Sequence, residues 1–363
     1  MRQEITARQF FDGETLFGPT RITLVNDVVH DITSHSGQFD FDLVSPGLVD
    51  VQMNGFENLD IAQANSADLV AIDERLCELG TTSWLGTVVT HRLHTLSAIL
   101  KRLDDVYRSD TVNGFCGIHL EGPFLGDSLG AHRQEWVVPI DIEWLTTLPS
   151  SIRLMTIGAE QANFATATRL LEGRGIAVSI GHSRPTRAQF DAALNSGASM
   201  VTHLFNAMSG IHHREDGLAL MALLSNKIFL GLIADLVHVS PDAISHTFQS
   251  ASDGRVCLVS DSVAWLAPGL IAKGVAVTDG APRLPDGTLA GSSTPLAVCV
   301  ANVVQKCSVP LHKALRAATS TPANVIGRRD LGRIVRGQPA DLVAFDSNLR
   351  VVSTMRRLPS SRA

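Results

Sequence analysis

The sequence predicts an α/β protein in which a (β/α)8 TIM-like barrel is joined to a small β-sandwich domain built from both chain termini. Eight apolar segments alternate with amphipathic ones between residues 45 and 329, while residues 1–44 and 330–363 are rich in β-formers. The 363 residues are 45% hydrophobic and 18% charged. That composition supplies a large core, and a barrel of about 250 residues leaves enough chain for one small additional domain.

The two termini share one character. The segment RITLVNDVVHDIT (21–33) and the segment GRIVRGQPADLVAFDSNLRVVSTMR (332–356) both consist of short β-rich stretches broken by turn residues. We therefore expect residues 1–44 and 330–363 to form the small domain together, with residues 45–329 between them as the barrel.

Eight strands are predicted in the central part, each an apolar run that ends in polar or small residues. They are GLVDVQMNG (47–55), TTSWLGTVVT (81–90), GFCGIHLEGP (114–123), IRLMTIGAE (152–160), IAVSIGHS (176–183), ASMVTHLFNA (198–207), IFLGLIADLVHV (228–239) and VCLVSDSV (256–263). Strands that alternate with helices indicate a parallel sheet, and the number eight favours closure into a barrel over an open sheet.

Helix-start signals lie between these strands. Ser66 is expected to cap the helix after the first strand, whose apolar residues recur at helical spacing. Thr186 with Gln189 has the spacing of a capping box, and Ser240 precedes a proline at the first helical position.

Charge and cysteine content exclude several classes of function. The formal net charge is −6 and Lys/Arg residues do not cluster, so we expect no nucleic-acid partner. No apolar run approaches membrane-span length. The five scattered cysteines form no CxxC pair, which is typical of buried free thiols in a reducing compartment, so a soluble, cytoplasmic protein is predicted.

Polar residues stand where the predicted strands end, and barrel enzymes carry their reactive groups at this rim. Glu121, His182, His203 and Asp261 end four different strands. Any one of them alone is explained as a hydrogen-bonded core residue or a helix cap. Together they match a metal site of three protein ligands with an open position for water, next to a carboxylate that can move protons. His119 stands two residues before Glu121 on the same strand face, and Asp235 and His238 lie at or just past the end of the seventh strand.

Several motifs carry a family resemblance. PGLVDVQMNG, HLEGPF, GHS, THLFNAM, GLIADLVHV, LVSDS and GTLAGSS follow one another in order, and LGRIVRGQPADLVAFD closes the chain. From about residue 45 to 346 the sequence resembles the N-acetylglucosamine-6-phosphate deacetylases of the amidohydrolase superfamily. HLEGP and THLFNAM are specific to that branch. The activity implied is metal-dependent hydrolysis of the N-acetyl group of an N-acetylhexosamine 6-phosphate to acetate and the amino-sugar phosphate.

The resemblance also implies roles for individual residues. The metal ligands would be Glu121, His182 and His203, holding one divalent metal per chain, with Zn²⁺ expected first and Fe²⁺, Co²⁺ or Ni²⁺ also suitable. Asp261 would be the acid/base, and His132 would polarise the acetyl carbonyl. The substrate would be bound by Asn206, Ala207, Arg214 and His238, with one of the last two acting across the interface of a homodimer.

Two departures from the family pattern affect specificity. Gln52 and Asn54 stand where many amidohydrolases have His-x-His, which implies a single metal because neutral amides are poor zinc ligands. Trp265 lies four positions after Asp261, in a segment where relatives have small residues. The alternatives therefore stay open at this point: an N-acetylgalactosamine-6-phosphate deacetylase, a cyclic amidase or deaminase of the same superfamily, or a non-catalytic binding relative.

Overall fold

The computed structural model describes residues 1–356 of the chain. Its strands are β1 (Arg2–Phe11), β2 (Leu16–Phe17), β3 (Thr20–Val25), β4 (Val28–Ser34), β5 (Phe41–Pro46), β6 (Leu48–Met53), β7 (Gly55–Phe56), β8 (Leu59–Asp60), β9 (Thr81–Val89), β10 (Phe115–Glu121), β11 (Ile152–Ile157), β12 (Ala177–Ile180), β13 (Met200–Val201), β14 (Phe229–Ile233), β15 (Val256–Val259), β16 (Ala276–Thr278), β17 (Ala281–Arg283), β18 (Leu342–Phe345) and β19 (Val351–Met355). Its helices are α1 (Ser66–Glu78), α2 (Leu93–Ser109), α3 (Ile142–Thr146), α4 (Phe164–Glu172), α5 (Arg187–Asn195), α6 (Leu218–Leu224), α7 (Pro241–Ser250), α8 (Pro268–Ile271), α9 (Leu296–Cys307), α10 (Leu311–Ala318) and α11 (Ser320–Val325).

Eight parallel strands form the central sheet in the order β6, β9, β10, β11, β12, β13, β14 and β15. The first and last strands meet just beyond β15, where the amide of Asp261 donates to the Gln52 carbonyl at 3.0 Å and the amide of Asn54 donates to the Ser262 carbonyl at 2.8 Å. These bonds close the sheet into a barrel. The predicted (β/α)8 barrel is confirmed, with each of the eight predicted strands in place.

Both termini contribute to a second sheet, as predicted. Its order is β19, β18, β5, β1, β3 and β4, with β2 paired to β1, so the predicted β-sandwich takes the form of one continuous seven-stranded sheet. This sheet has its own hydrophobic core, which includes Ile5, Phe10, Leu24, Val44 and Leu342. The last seven residues of the predicted segment 330–363 lie outside the described residues.

The start signals of the helices hold with one correction. Thr186 and Gln189 form the predicted capping box of α5, and the Ser240 hydroxyl caps α7. The prediction for α1 was wrong by one residue: Asn65 is the N-cap, and its side-chain oxygen accepts from the amides of Ala67 at 2.8 Å and Asp68 at 3.1 Å. Within residues 1–356, no helix combines the length and the apolar character that a membrane crossing needs.

Candidate active site

Three predicted metal ligands meet at the carboxyl end of the barrel. Glu121 Oε1 lies 3.1 Å from His182 Nε2 and 3.2 Å from His203 Nε2, and the two ring nitrogens lie 3.1 Å apart. Their side chains come from β10 and from the residues directly after β12 and β13, and all three residues are buried. One carboxylate oxygen and two imidazole nitrogens therefore form a nearly equilateral triangle of donor atoms.

The backbone at these positions is unusual. His182, His203 and Asp261 have φ values of 49°, 30° and 48°, in the left-handed region that non-glycine residues seldom adopt. Such conformations cost free energy and cluster at functional sites, where surrounding structure enforces them. At each of the three strand ends the chain turns sharply and directs a polar side chain over the barrel.

The donor set fits a divalent cation. His182 Nδ1 lies 3.0 Å from the Ser128 carbonyl oxygen, so this nitrogen keeps a ring proton, and loss of the proton from Nε2 would leave a lone pair there for a cation. One cation between the three atoms would satisfy the carboxylate oxygen and both ring nitrogens, which face each other at 3.1 Å. His132 also offers a ring nitrogen within 4.8 Å of Glu121 and His182. His203 is the third ligand in the prediction from the sequence, and its Nε2 lies within hydrogen-bond distance of both other atoms, 3.2 Å from Glu121 Oε1 and 3.1 Å from His182 Nε2.

The charges of the triangle follow from its contacts. Burial raises the pKa of the Glu121 carboxyl, but the hydrogen bonds with His182 and His203 outweigh it and hold the pKa well below its usual value. Burial lowers the pKa of His203, yet its hydrogen bond to Glu121 produces a net rise. Glu121 is therefore a carboxylate, the form that a metal ligand requires.

Asp261 lies beside the triangle and is held by two amides. Gln52 Nε2 donates to Asp261 Oδ1 at 3.1 Å, and Asn54 Nδ2 donates to the same oxygen at 2.9 Å. Burial, followed by repulsion from Glu121, raises the pKa of Asp261 to about 6. A carboxyl with this pKa can both take and return a proton near neutral pH, which is the requirement for a general acid–base residue.

His132 approaches the site from the loop after β10. Its ring centroid lies 4.3 Å from that of His182, with the two rings nearly perpendicular. Burial, with the neighbouring charge of His182, lowers the pKa of His132 to about 3, so the ring is neutral at pH 7. A Cβ on Gly130 would lie 3.5 Å from the Ala207 Cβ and 3.6 Å from the His182 Cε1, which places this loop directly over the site.

Glu160 anchors that loop, and sequence reasoning missed it. Its Oε1 accepts from the backbone amides of Asp127 at 3.0 Å and Arg184 at 2.8 Å, and its Oε2 accepts from the Ser183 hydroxyl. One carboxylate therefore ties the His132 loop to the residues that follow His182. A glutamate three residues beyond a strand has no sequence signature that distinguishes it from a surface residue.

His119 lies on the same face of β10 as Glu121 but deeper in the barrel. Its ring nitrogens lie 3.2 Å from the Thr87 hydroxyl and 2.8 Å from the Thr156 hydroxyl, and the residue is fully buried. Burial lowers its pKa to about 4, so the ring is a neutral, hydrogen-bonded part of the barrel interior.

Comparisons with known proteins identify the family of the chain. The sequence profile described as the Amidohydrolase family matches residues 43–360. The chain belongs to the amidohydrolase family.

Similar proteins within the family share one name. N-acetylglucosamine-6-phosphate deacetylases of Caenorhabditis elegans and Bacillus subtilis (strain 168) are 32% and 31% identical to this chain, over 86% of it and 81% and 83% of their own lengths. Among solved structures, the deacetylase of Thermotoga maritima has a TM-score of 0.88 at 27% identity. A second solved structure is an Asp-to-Ala mutant of the Mycobacterium smegmatis deacetylase in complex with N-acetyl-D-glucosamine-6-phosphate, also with a TM-score of 0.88 and 27% identity. Both matches cover 98% of this chain and 98% of the solved one. The predicted resemblance is confirmed.

The expected substrate-binding residues of this amidohydrolase divide into two groups. Asn206 and Ala207 follow His203 in the turn after β13, close to the triangle, and both are partly buried. His238 lies after β14, where its Nδ1 bonds Asp235 Oδ2 at 2.7 Å and its side chain is almost fully buried. Arg214 is different, because it lies in the exposed segment 210–216.

Gln52 and Asn54 contact Asp261, a contact that the sequence did not reveal. Sequence reasoning placed the two amides where many amidohydrolases have His-x-His, but it did not connect them to Asp261, more than 200 positions away. Their spacing of two at the end of β6 was the available signal, because it directs both side chains to one face.

Proposed function

We propose that this chain hydrolyses the N-acetyl group of N-acetylglucosamine 6-phosphate to acetate and glucosamine 6-phosphate. The observation that carries the proposal is the buried triangle of Glu121, His182 and His203 with Asp261 beside it at the rim of an amidohydrolase barrel. Two relatives, whose lengths the match covers to 81% and 83%, are named N-acetylglucosamine-6-phosphate deacetylase, and this name supports the choice of substrate.

Glu121, His182 and His203 would hold one divalent metal per chain. The set of one carboxylate and two imidazoles suits Zn²⁺ first, and Fe²⁺, Co²⁺ and Ni²⁺ accept the same ligands. A cation bound there supplies Lewis acidity toward the acetyl carbonyl and makes water a stronger nucleophile.

The other residues carry the protons and the charge. Asp261 takes one proton as water attacks the carbonyl carbon, and it gives that proton to the nitrogen as the C–N bond breaks. His132, neutral and in the loop over the site, donates a hydrogen bond to the carbonyl oxygen as negative charge develops there. Acetate and the free amine of the sugar phosphate are the products.

The sugar phosphate is bound by Asn206, Ala207, His238 and Arg214 in this proposal. Arg214 offers a planar, permanently charged group that matches a phosphate. Because Arg214 lies in the exposed segment 210–216, the proposal includes a homodimer in which Arg214 serves the partner's site. All five cysteines are free, which supports a reducing, cytoplasmic location.

Acetate release from N-acetylglucosamine 6-phosphate tests the proposal, with N-acetylgalactosamine 6-phosphate and unphosphorylated N-acetylglucosamine as comparison substrates. We expect acetate and amine in equal amounts from the first substrate, and the highest kcat/KM for it. A higher kcat/KM for the galactosamine substrate would change the sugar assignment. Absence of acetate from all three, with metal bound, would support another amide hydrolase or a binding protein.

A further inference from the structure

The end of β6 delivers two amides to one carboxylate oxygen. Gln52 and Asn54 are two residues apart, and their nitrogens lie 3.1 Å and 2.9 Å from Asp261 Oδ1. Gln52 Nε2 also lies 3.4 Å from Glu121 Oε1, and Gln52 is 1% exposed. A single buried side chain thus touches both the proposed base and a proposed metal ligand.

The acceptors determine which way the Gln52 and Asn54 amides face. Carboxylate oxygens only accept hydrogen bonds, so the NH₂ group of each amide must point to Asp261. A cation binds an amide through its oxygen, because the nitrogen lone pair is delocalised, so the two donating nitrogens are not ligand atoms. The two side chains therefore act as hydrogen-bond donors in this arrangement, although they occupy the place of a possible second metal position.

The two oxygens of Asp261 have different surroundings. Oδ1 receives both amide hydrogen bonds, whereas Oδ2 has no hydrogen-bond partner among residues 1–356. The carboxylate thus has one oxygen that is fixed and one that is available to water or substrate. Such an arrangement selects a single orientation of a group that would otherwise rotate about its Cβ–Cγ bond.

The backbone fixes the same geometry. The Asp261 amide donates to the Gln52 carbonyl and the Asn54 amide donates to the Ser262 carbonyl, across the seam that closes the barrel. Asp261 itself has a left-handed φ of 48°. The seam therefore holds the two amides and the carboxylate at a constant separation, at the ends of two neighbouring strands.

We infer that Gln52 and Asn54 are positioning residues that hold Asp261 Oδ1, so that Oδ2 faces the reacting water and the leaving nitrogen. This inference rests on the proposed function, because it assigns to the amides a part in the same hydrolysis. Since neither amide touches the substrate in this account, losing one lowers the rate of proton transfer and leaves substrate affinity unchanged.

The test replaces each amide with an apolar side chain of similar size, in Gln52→Met, Asn54→Leu and the double variant. We expect kcat to fall about tenfold for each and about a hundredfold for both, on the scale of lost hydrogen bonds to a charged group. KM should stay within about twofold, because the substrate contacts remain. Metal content per chain should match that of Gln249→Met, a control at an exposed glutamine of α7. The thermal midpoint should fall below that of the control, because a buried carboxylate loses a hydrogen-bond donor, so kcat is compared per folded molecule.

Three results would overturn the inference. The first is an unchanged kcat in both single variants, or in Asn54→Leu alone if Gln52→Met fails to fold, since Asn54 is less buried. The second is a loss of activity that follows a loss of bound metal. The third comes from Gln52→Met in an Asp261→Asn background: we expect less than a twofold effect there, and a full tenfold loss would show that Gln52 does not act through Asp261. Wild-type protein without turnover would instead refute the proposed function.

Discussion

Asp261→Asn removes the proposed base with little disturbance of its surroundings. The asparagine carbonyl oxygen can replace Oδ1 and accept the bonds from Gln52 and Asn54, now 3.1 Å and 2.9 Å long. Its NH₂ group then takes the place of Oδ2, where it is unable to accept a proton. Asp261→Ala is the harsher change, because it leaves two buried donors unpaired at a cost of about 1–3 kcal/mol each.

The expected loss for Asp261→Asn is therefore almost entirely catalytic. General acid–base groups contribute about 10²–10⁴ in rate, so kcat should fall at least a hundredfold, which corresponds to about 2.7 kcal/mol of transition-state stabilisation. Initial rates of acetate release give kcat and KM, elemental analysis gives metal per chain, and thermal unfolding reports the fold. KM and metal content should stay close to those of the wild type.

A variant with near-normal turnover would refute the proton-transfer assignment of Asp261. A capping or purely structural role predicts the opposite pattern, in which stability falls and activity per folded molecule is retained. If Asp261→Asn lost its metal, that result would also contradict the assignment, because it would indicate that Asp261 is a metal ligand.

Four further predictions concern Glu121, the protonation of Asp261, Arg214 and the N-cap of α1. Glu121→Gln should release the metal and abolish turnover, as measured by elemental analysis and acetate release; retained metal would contradict the ligand assignment. Because the pKa of Asp261 is raised to about 6 and its ionised form is the base, kcat/KM should fall about tenfold per pH unit below 6, and a flat profile from pH 7 to 5 would exclude that role. Arg214→Ala should raise KM for the 6-phosphate sugar about tenfold to a hundredfold and hardly affect the unphosphorylated sugar, whereas equal losses would make the residue structural. Asn65→Ala should destabilise the protein by about 1 kcal/mol in denaturant unfolding, with Ser66→Ala as a nearly neutral control; the reverse order would restore Ser66 as the cap.

The barrel was predictable because its signals are local and repeated. Each strand is an apolar run with a polar end, and barrel geometry then gathers the ends of different strands at one rim. Glu121, His182 and His203 are brought together by this rule, although 82 positions separate the first from the last. No distance or angle between them followed from the sequence.

Other features depend on contacts that a pattern does not contain. Asn65 and Ser66 are both good caps, and the choice between them depends on which residue keeps an extended backbone, here Asn65 with a ψ of −176°. Glu160 and the pairing of Gln52 with Asp261 depend on loops and strands that meet only when the barrel closes. The left-handed backbone of His182 and His203 likewise comes from tertiary packing that overrides residue preference.

Metal content and acetate release, measured on the same samples of wild type and His203→Asn, show whether the metal held by Glu121, His182 and His203 drives the hydrolysis. We expect one divalent metal per wild-type chain, with acetate and glucosamine 6-phosphate produced in equal amounts from N-acetylglucosamine 6-phosphate. We also expect His203→Asn to lose metal and turnover together. Turnover that persists without metal, or metal-loaded wild type that releases no acetate, would contradict the proposed function.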